Sequence, residues 1–278
     1  MFKKIFKFFL WVVAILLAGY IIFLFVVSPS NNRDWVADNA VLSYADIKGD
    51  EVIIHNVRSN VYRSTLDFDS HYYDETYDLN KLYAVDFIVA PFHPPSAHTF
   101  MSFGFEDGKH VAISIEARRE KDESYDIFKG MLRQFEMIYV IADEADVIKL
   151  RTNYRDDGTV YMYPIKVSKE KAKALFLDML NKVNELKDKP EFYNTITNNC
   201  TSALVKHVNN IADPEAQIGF SWKYVLPAYA GNLAYDMGLI NDTGTFEELQ
   251  KKYSIKAKAI SCQDVVDFSK CIRSEDLN

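Results

Sequence analysis

The chain has 278 residues, more than one ordinary domain and short of two, with 49% hydrophobic and 26% charged residues. That composition excludes a disordered, collagen-like or disulfide-dense scaffold. Residues 1–28 hold Lys3, Lys4 and Lys7 and no acid, so the remainder sets 29 basic against 39 acidic residues, a net of −10; nucleic acid is therefore not an expected partner, because phosphate-backbone binding needs a basic surface.

Phe8 to Val27 are 20 residues without a charge. As a helix they span about 30 Å, the hydrocarbon thickness of a bilayer. A cleaved signal peptide is the rival reading, but the stretch outruns a usual h-region and no small-x-small pattern follows Val27. Residues 1–28 are thus predicted to be a cytoplasmic tip and a transmembrane signal-anchor helix, oriented by the three lysines before it. No later stretch is apolar enough to span, so a single-pass protein with an external body is expected. Residues 29–40 read as a polar linker that reaches at most about 40 Å and keeps the body near the membrane.

The body, residues 41–240, reads as α+β: an antiparallel sheet packed by helices. Strands are predicted at Glu51–Arg58, Leu82–Phe92, His98–Phe105, Val111–Ala117, Met137–Ala142 and Thr159–Val167. Glu106-Asp-Gly-Lys109 is a hairpin signal, since Asp-Gly supplies a positive-φ position. A helix is predicted over Ser168–Lys187, with apolar residues at i, i+3, i+4, i+7 and Ser168 as N-cap. A second is predicted from about Asn199 to Asn210, and a third over roughly Tyr224–Met237 with Gly238 as C-cap. Residues 241–278 read as a C-terminal extension packed on the body.

Thr197, Asn198 and Asn199 are all good N-cap residues, so Cys200 falls in the first turn of its helix. Free backbone N–H groups and the macrodipole there favour a thiolate, as in papain-type nucleophiles. A plain buried cysteine is an equally open reading. Six histidines compete as base. His207 follows Cys200 by two turns, about 10 Å, too far for a direct hydrogen bond. His98 opens a strand beside a loop, where an imidazole can meet a helix N-terminus, and is the preferred candidate. Glu116 lies across from His98 if the hairpin loop has three residues and turns away if it has two, with Ser114 the next choice as orienting group. Arg151 and Arg155 in LRTNYR stand as candidate clamps for phosphate or carboxylate, and Arg118 and Ser114 as further substrate-binding candidates; a structural role is open for each.

HExxH, paired Cys-x-x-Cys, EF-hand, Gly-x-Ser-x-Gly and phosphate-loop patterns are missing, so no metal site and no cofactor is expected. Cys262 and Cys271, nine residues apart in SCQDVVDFSKC, are close enough to pair outside the cytoplasm unless a helix holds them apart. Such a pair leaves Cys200 as the one unpaired thiol.

The segments AHTFMSFGFEDGKHVAISIEARREKDESYD, EMIYVIADEADVIKLRTNYR and PEFYNTITNNCTSALVKHVN resemble the N-terminal periplasmic domain of Lnb-type bacterial lipoprotein N-acyltransferases. Flanking VIIHNVRSNVYRSTLDFDSHYYDETYDL, SWKYVLPAYAGNLAYDMGLI and DFSKCIR fit as well, so the resemblance covers roughly residues 40–275. His before a helix-opening Cys is also similar to circularly permuted papain-like (NlpC/P60-like) enzymes. The resemblance implies Cys200 as nucleophile and His98 as base of a cysteine acyltransferase anchored in the bacterial inner membrane. Its substrates would be membrane phospholipid and lipoprotein, its body periplasmic and its intermediate a Cys thioester. Two other classes stand beside it: a papain-like peptidase or amidase acting on cell-wall peptides, and a non-enzymatic envelope binding module.

Overall fold

A computed structural model describes residues 2–155 and 158–274. The chain divides into two compact units, Met1–Arg33 and Asp34–Asn278. In the first, helix α1 (Phe2–Val26) contains a segment, Phe2–Phe23, long and apolar enough to cross a membrane, with a mean hydropathy of 2.4. Its described side chains are exposed throughout, as those of a lipid-facing helix are.

The second unit is built on strands β1 (Tyr44–Lys48), β2 (Glu51–Arg58), β3 (Val61–Tyr62), β4 (Phe68–Asp69) and β5 (Tyr72–Asp78). These are followed by β6 (Leu82–Pro91), β7 (Ala97–Phe105), β8 (His110–Arg118), β9 (Glu136–Ala142) and β10 (Tyr161–Pro164). β3 and β4 form a short ladder of their own; the others make an eight-stranded sheet in the order β1-β2-β9-β8-β7-β6-β10, with β5 on β2. Its pairings are antiparallel except β2–β9, which meet in parallel at Arg58 and Ala142. The helices are α2 (Ile127–Met131), α3 (Glu144–Lys149), α4 (Lys169–Asp188), α5 (Cys200–Ile211), α6 (Trp222–Val225), α7 (Ala230–Asp236), α8 (Phe246–Lys252), α9 (Lys256–Ser261) and α10 (Phe268–Cys271). The expected mixed α+β class is thus what the structure shows, including the apolar N-terminal helix.

β9 explains why the sheet's centre reads as apolar runs. Met137, Tyr139 and Ile141 pack with α4 and α5, while Ile138, Val140 and Ala142 pack with Val147, Ile148, Ala259 and Phe268 from α3, α9 and α10. A strand covered on both faces is apolar at every position. α4 buries Ala172, Leu175, Phe176, Met179, Leu180, Val183 and Leu186 along one stripe, and the Ser168 hydroxyl caps it by accepting from Lys171 N–H.

Three elements differ from the sequence reading. The helix expected over Tyr224–Met237 is broken into α6, a 3₁₀ turn at Pro227–Tyr229 and α7, because Pro227 brings no N–H to a continuing helix. The strand expected over Thr159–Val167 is shorter, Tyr161–Pro164 on β6 with Ile165 bridging Ile240. Within the stretch read as linker, Trp35 is buried and bridges Glu120, with the Arg118 guanidinium 4.1 Å over its ring. In the C-terminal extension, whose last residues 275–278 lie outside the described part, Cys262 and Cys271 form a disulfide. Arg273 then pairs with Glu144 and Asp86, each at 2.6 Å, and ties the chain end to the sheet.

Candidate active site

The β7–β8 hairpin sets the positions of the polar groups. Phe105 N–H donates to Lys109 O, leaving a three-residue loop in which Gly108 takes φ +87°. The register runs Phe100 to Ser114 and Gly104 to His110. Continued to the strand ends, it sets Glu116 opposite His98, and the two side chains come within 3.7 Å. His98 Nε2 and Ser114 Oγ are 2.7 Å apart, and Ser114 Oγ donates to Glu116 Oε1 at 2.9 Å. Arg151, from the π-helical turn Leu150–Tyr154 that follows α3, donates to the same Glu116 oxygen at 2.8 Å. Its second nitrogen bonds Val147 O at 2.8 Å and its plane lies over Phe100.

This relay assigns the imidazole tautomer. The Ser114 proton goes to Glu116, so Ser114 accepts from His98 Nε2–H and leaves Nδ1 as the free lone pair. Burial and then Arg151 oppose the imidazolium more than Glu116 favours it, and the His98 pKa is lowered to about 3. Burial alone would raise the Glu116 carboxyl, but Arg151 foremost, with His98, Arg58 and Arg155, holds it well below the usual range. Glu116 is therefore an anion and His98 a neutral base at neutral pH.

A stability test follows from the His98 shift. An unfolded histidine takes its proton at about pH 6.5, the folded His98 only near 3. Between those values the unfolded chain binds the extra proton, so stability is full above the window and falls as pH drops through it. The Tm of His98→Asn is expected to fall less than that of the wild type between about pH 6.5 and about pH 4. Parallel Tm-against-pH curves would rule out the half-buried neutral imidazole.

Cys200 is the first residue of α5 and is 3% exposed. Asn199 caps the helix: its side chain accepts from Ser202 N–H at 2.8 Å, while Ser202 Oγ accepts from Asn199 N–H at 2.9 Å. Cys200 Sγ lies 3.9 Å from Ala97 O, on the residue before His98, and 3.9 Å from Thr201 Oγ1. A cavity of about 560 Å³ brings Cys200 together with His98, Glu116, Arg151, Asn199 and Tyr193. No hydrogen bond joins Cys200 to His98, whose side chain shares its sheet face with Glu116 while α5 covers the other. Such contacts commonly tighten only with substrate in place.

Ser114 sits fully buried behind His98 rather than on the cavity wall. Arg118 points elsewhere: it is buried, donates to Asn39 O and Ala40 O, and is not among the residues lining the cavity. His207 is held between Tyr139 and Asp178, at 2.7 and 2.6 Å, and His55 between Asp74 and Asp46. Tyr193 went unnoticed in the sequence. It lines the cavity beside Cys200, and burial, with the sulfur next, pushes its hydroxyl well above the usual range. A tyrosine in the loop before a helix has no periodic signal that would single it out. Among the described residues no group of three His, Cys, Asp or Glu is placed to hold a metal ion.

Compared with known families, residues 68–228 match the model of the Lnb N-terminal periplasmic domain, more than half of the chain. The matched stretch contains His98, Ser114, Glu116, Arg151, Tyr193 and Cys200. No curated protein and no solved structure matches the chain.

Proposed function

Because the chain belongs to the family of Lnb N-terminal periplasmic domains, which is linked to lipoprotein processing, we propose that it is a cysteine acyltransferase working at the periplasmic face of the bacterial inner membrane. The family and the apolar N-terminal helix together fit a membrane-anchored periplasmic protein. In the proposed orientation Lys3, Lys4 and Lys7 stay in the cytoplasm. The chain order, a strand-opening histidine before a helix-opening cysteine on an antiparallel sheet, supports a permuted papain-like core.

The observation that carries the reading is the shared cavity. Cys200 at the helix start and His98, whose Nε2 lies 2.7 Å from Ser114 Oγ, both line it, which supports pairing the thiol with the imidazole. In the proposed reaction, His98 Nδ1 takes the Cys200 proton and Sγ attacks the ester carbonyl of a phospholipid. The S–C bond forms, the C–O bond breaks, and the leaving alkoxide takes the proton from His98. A lipoprotein amine then attacks the thioester carbonyl, its proton passing through His98 to the departing sulfur as the C–N bond replaces C–S. The helix start at Cys200 and Thr201 is the proposed oxyanion site in both steps, the Ser202 and Ala203 N–H groups being taken up by Asn199. Ser114, Glu116 and Arg151 orient the imidazole.

Intact mass spectrometry of the full chain, purified after exposure to phospholipid, tests this directly. The expected result is an acyl adduct that hydroxylamine removes and that maps to Cys200. An adduct on another residue, or none when transfer is running, overturns the thioester assignment.

A further inference from the structure

The edge of the cavity that holds Cys200 is apolar and open to solvent. Ile127 of α2 and Ile196, in the turn before α5, both line the cavity and are each 43% exposed, so they stand on its rim. Thr195 Oγ1 donates to Ile127 O at 3.0 Å and joins the two segments. Beside them Phe128 is 72% exposed, and Leu132 also lies open. Val225, the last residue of α6, belongs to another part of the wall. Trp222 precedes it by three residues and so lies on the same side of that helix. It is 52% exposed and meets Tyr229 edge-on at 5.0 Å. Phe220, 85% exposed, meets Tyr224 edge-on at 6.0 Å. Scattered apolar side chains are ordinary on a surface, but large ones gathered round one opening mark a contact face.

Charge is distributed to match. Residues 29–278 carry a net of −10, yet the segments 127–135, 192–212 and 216–235, which supply this rim, contain no Asp or Glu. Their charged residues are Lys129, Arg133, Lys206 and Lys223, of which Lys223 pairs with Asp236. The acids just before α2 are engaged: Asp126 accepts from Lys129 N–H at 2.9 Å, and Glu123 from the Gln134 side chain at 3.3 Å. A face without acids on an acidic body suits a surface of anionic head groups.

The chain leading from α1 enters the body at this same cavity. Lys121 N–H donates to Asp34 O at 2.7 Å, and Val36 N–H to Arg119 O at 3.1 Å. Arg119 lines the cavity. Only residues 27–33 separate α1 from Asp34, and fully extended they reach at most about 28 Å. A tether this short, attached at the cavity wall, favours that side of the body as the one that meets lipid.

We propose that the rim is a membrane-docking collar: Phe128, Leu132 and Ile196 on one side, Phe220 and Trp222 on the other, dip into the bilayer interface around the mouth of the Cys200 cavity. Aromatic rings favour that zone, where one end is apolar and the other wet. The collar rests on the membrane-anchored reading of α1 and not on the thioester chemistry. It adds to the proposed function the route of entry, since a substrate held in lipid then reaches the cavity without crossing water.

The test uses the full chain with Cys200→Ala in every arm. Cys262 and Cys271 are bonded to each other, so one introduced thiol takes the label. Phe128→Cys and Trp222→Cys are each labelled with nitrobenzoxadiazole. Leu66→Cys, between β3 and β4, and Lys251→Cys in α8 are the controls, both exposed and neither lining the cavity. The vesicles are phosphatidylcholine and phosphatidylglycerol in equal parts, doped with a lipid bearing a nitroxide near the top of one acyl chain. Side chains that enter the interface reach about 5–10 Å into it, so labels at 128 and 222 are expected to be quenched at least about twofold more than either control. Adding Trp222→Glu to the chain labelled at 128, or Phe128→Glu to the chain labelled at 222, is expected to return quenching to the control level, because a carboxylate resists leaving water. These positions are exposed, so an unchanged Tm is expected in every arm. Quenching at 128 and 222 no greater than at the controls, or untouched by the glutamates, overturns the collar. Labels that turn blue without lipid quenching, and lose the shift as protein is diluted in lipid, overturn it in favour of a second copy of this chain. Docking that holds while wild-type Cys200 never gains an adduct sinks the acyl-transfer reading and leaves the collar standing.

Discussion

Replacing Cys200 with alanine is expected to lower acyl transfer by at least about 10³-fold, the scale on which loss of a covalent nucleophile is felt. The protein should otherwise survive. Cys200 is buried, but removing one sulfur leaves only a small cavity, costing about 1 kcal/mol. Asn199 and Ser202 still cap α5 without it. Cys200→Ser tests the chemistry more finely, since it keeps the size and a proton for His98 yet offers a far weaker nucleophile. Transfer rates in vesicles, read beside Tm, separate the outcomes. A Cys200→Ala protein that keeps a tenth of the wild-type rate, or that unfolds, places the nucleophile elsewhere or makes Cys200 structural.

The second large effect is on stability. Arg58→Ala is expected to cost about 3–5 kcal/mol, because it leaves Asp146 buried without its charge partner. For a body of this size that lowers Tm by about 10 °C. The pair is bidentate: Arg58 Nε and an Nη atom reach the two Asp146 oxygens at 2.8 and 2.7 Å. Asn60 N–H adds a bond to Asp146 at 2.8 Å, and the remaining Arg58 nitrogen holds Asp38 O at 2.6 Å. Both side chains are almost wholly buried. Replacing both, as Arg58→Met with Asp146→Leu, should recover most of the loss, since an apolar pair leaves no stranded charge. Differential scanning calorimetry of the single and double variants decides it; a double variant no better than the single would show that the geometry, and not the stranded charge, matters.

The pair bears on chemistry too. Arg58 closes β2 and Asp146 sits in α3, directly before the turn that carries Arg151 to Glu116. The positioning of His98 thus depends on a charge pair with no place in the cavity.

Much of the site was legible because its signals are local. Asp107-Gly108 demands a tight turn, the run Thr197-Asn198-Asn199 starts a helix whatever surrounds it, and the stripe of α4 declares which face is covered. Other elements gave no such signal. β5, YYDETYD, is a polar strand with little buried surface, so no apolar alternation marks it. Pro227 sits inside an otherwise helical pattern, and only the packed chain showed that it divides α6 from α7. Arg118 and Arg151 look alike in the sequence, yet one is taken up by Asn39, Ala40 and Trp35 and the other reaches Glu116.

The sequence by itself determined the membrane-spanning length of α1, the placement of Cys200 at a helix start and the hairpin that follows His98, because composition, capping and turn chemistry act within a few residues. It also marked Cys200 as the one thiol left over once Cys262 and Cys271 are close enough to bond. Only the tertiary structure decided that the hairpin loop has three residues, so that Glu116 faces His98 through Ser114, and that Arg151 and Tyr193 join them around Cys200. Those neighbours come from segments up to about a hundred residues apart, and their approach is set by sheet register and burial, which no local pattern encodes.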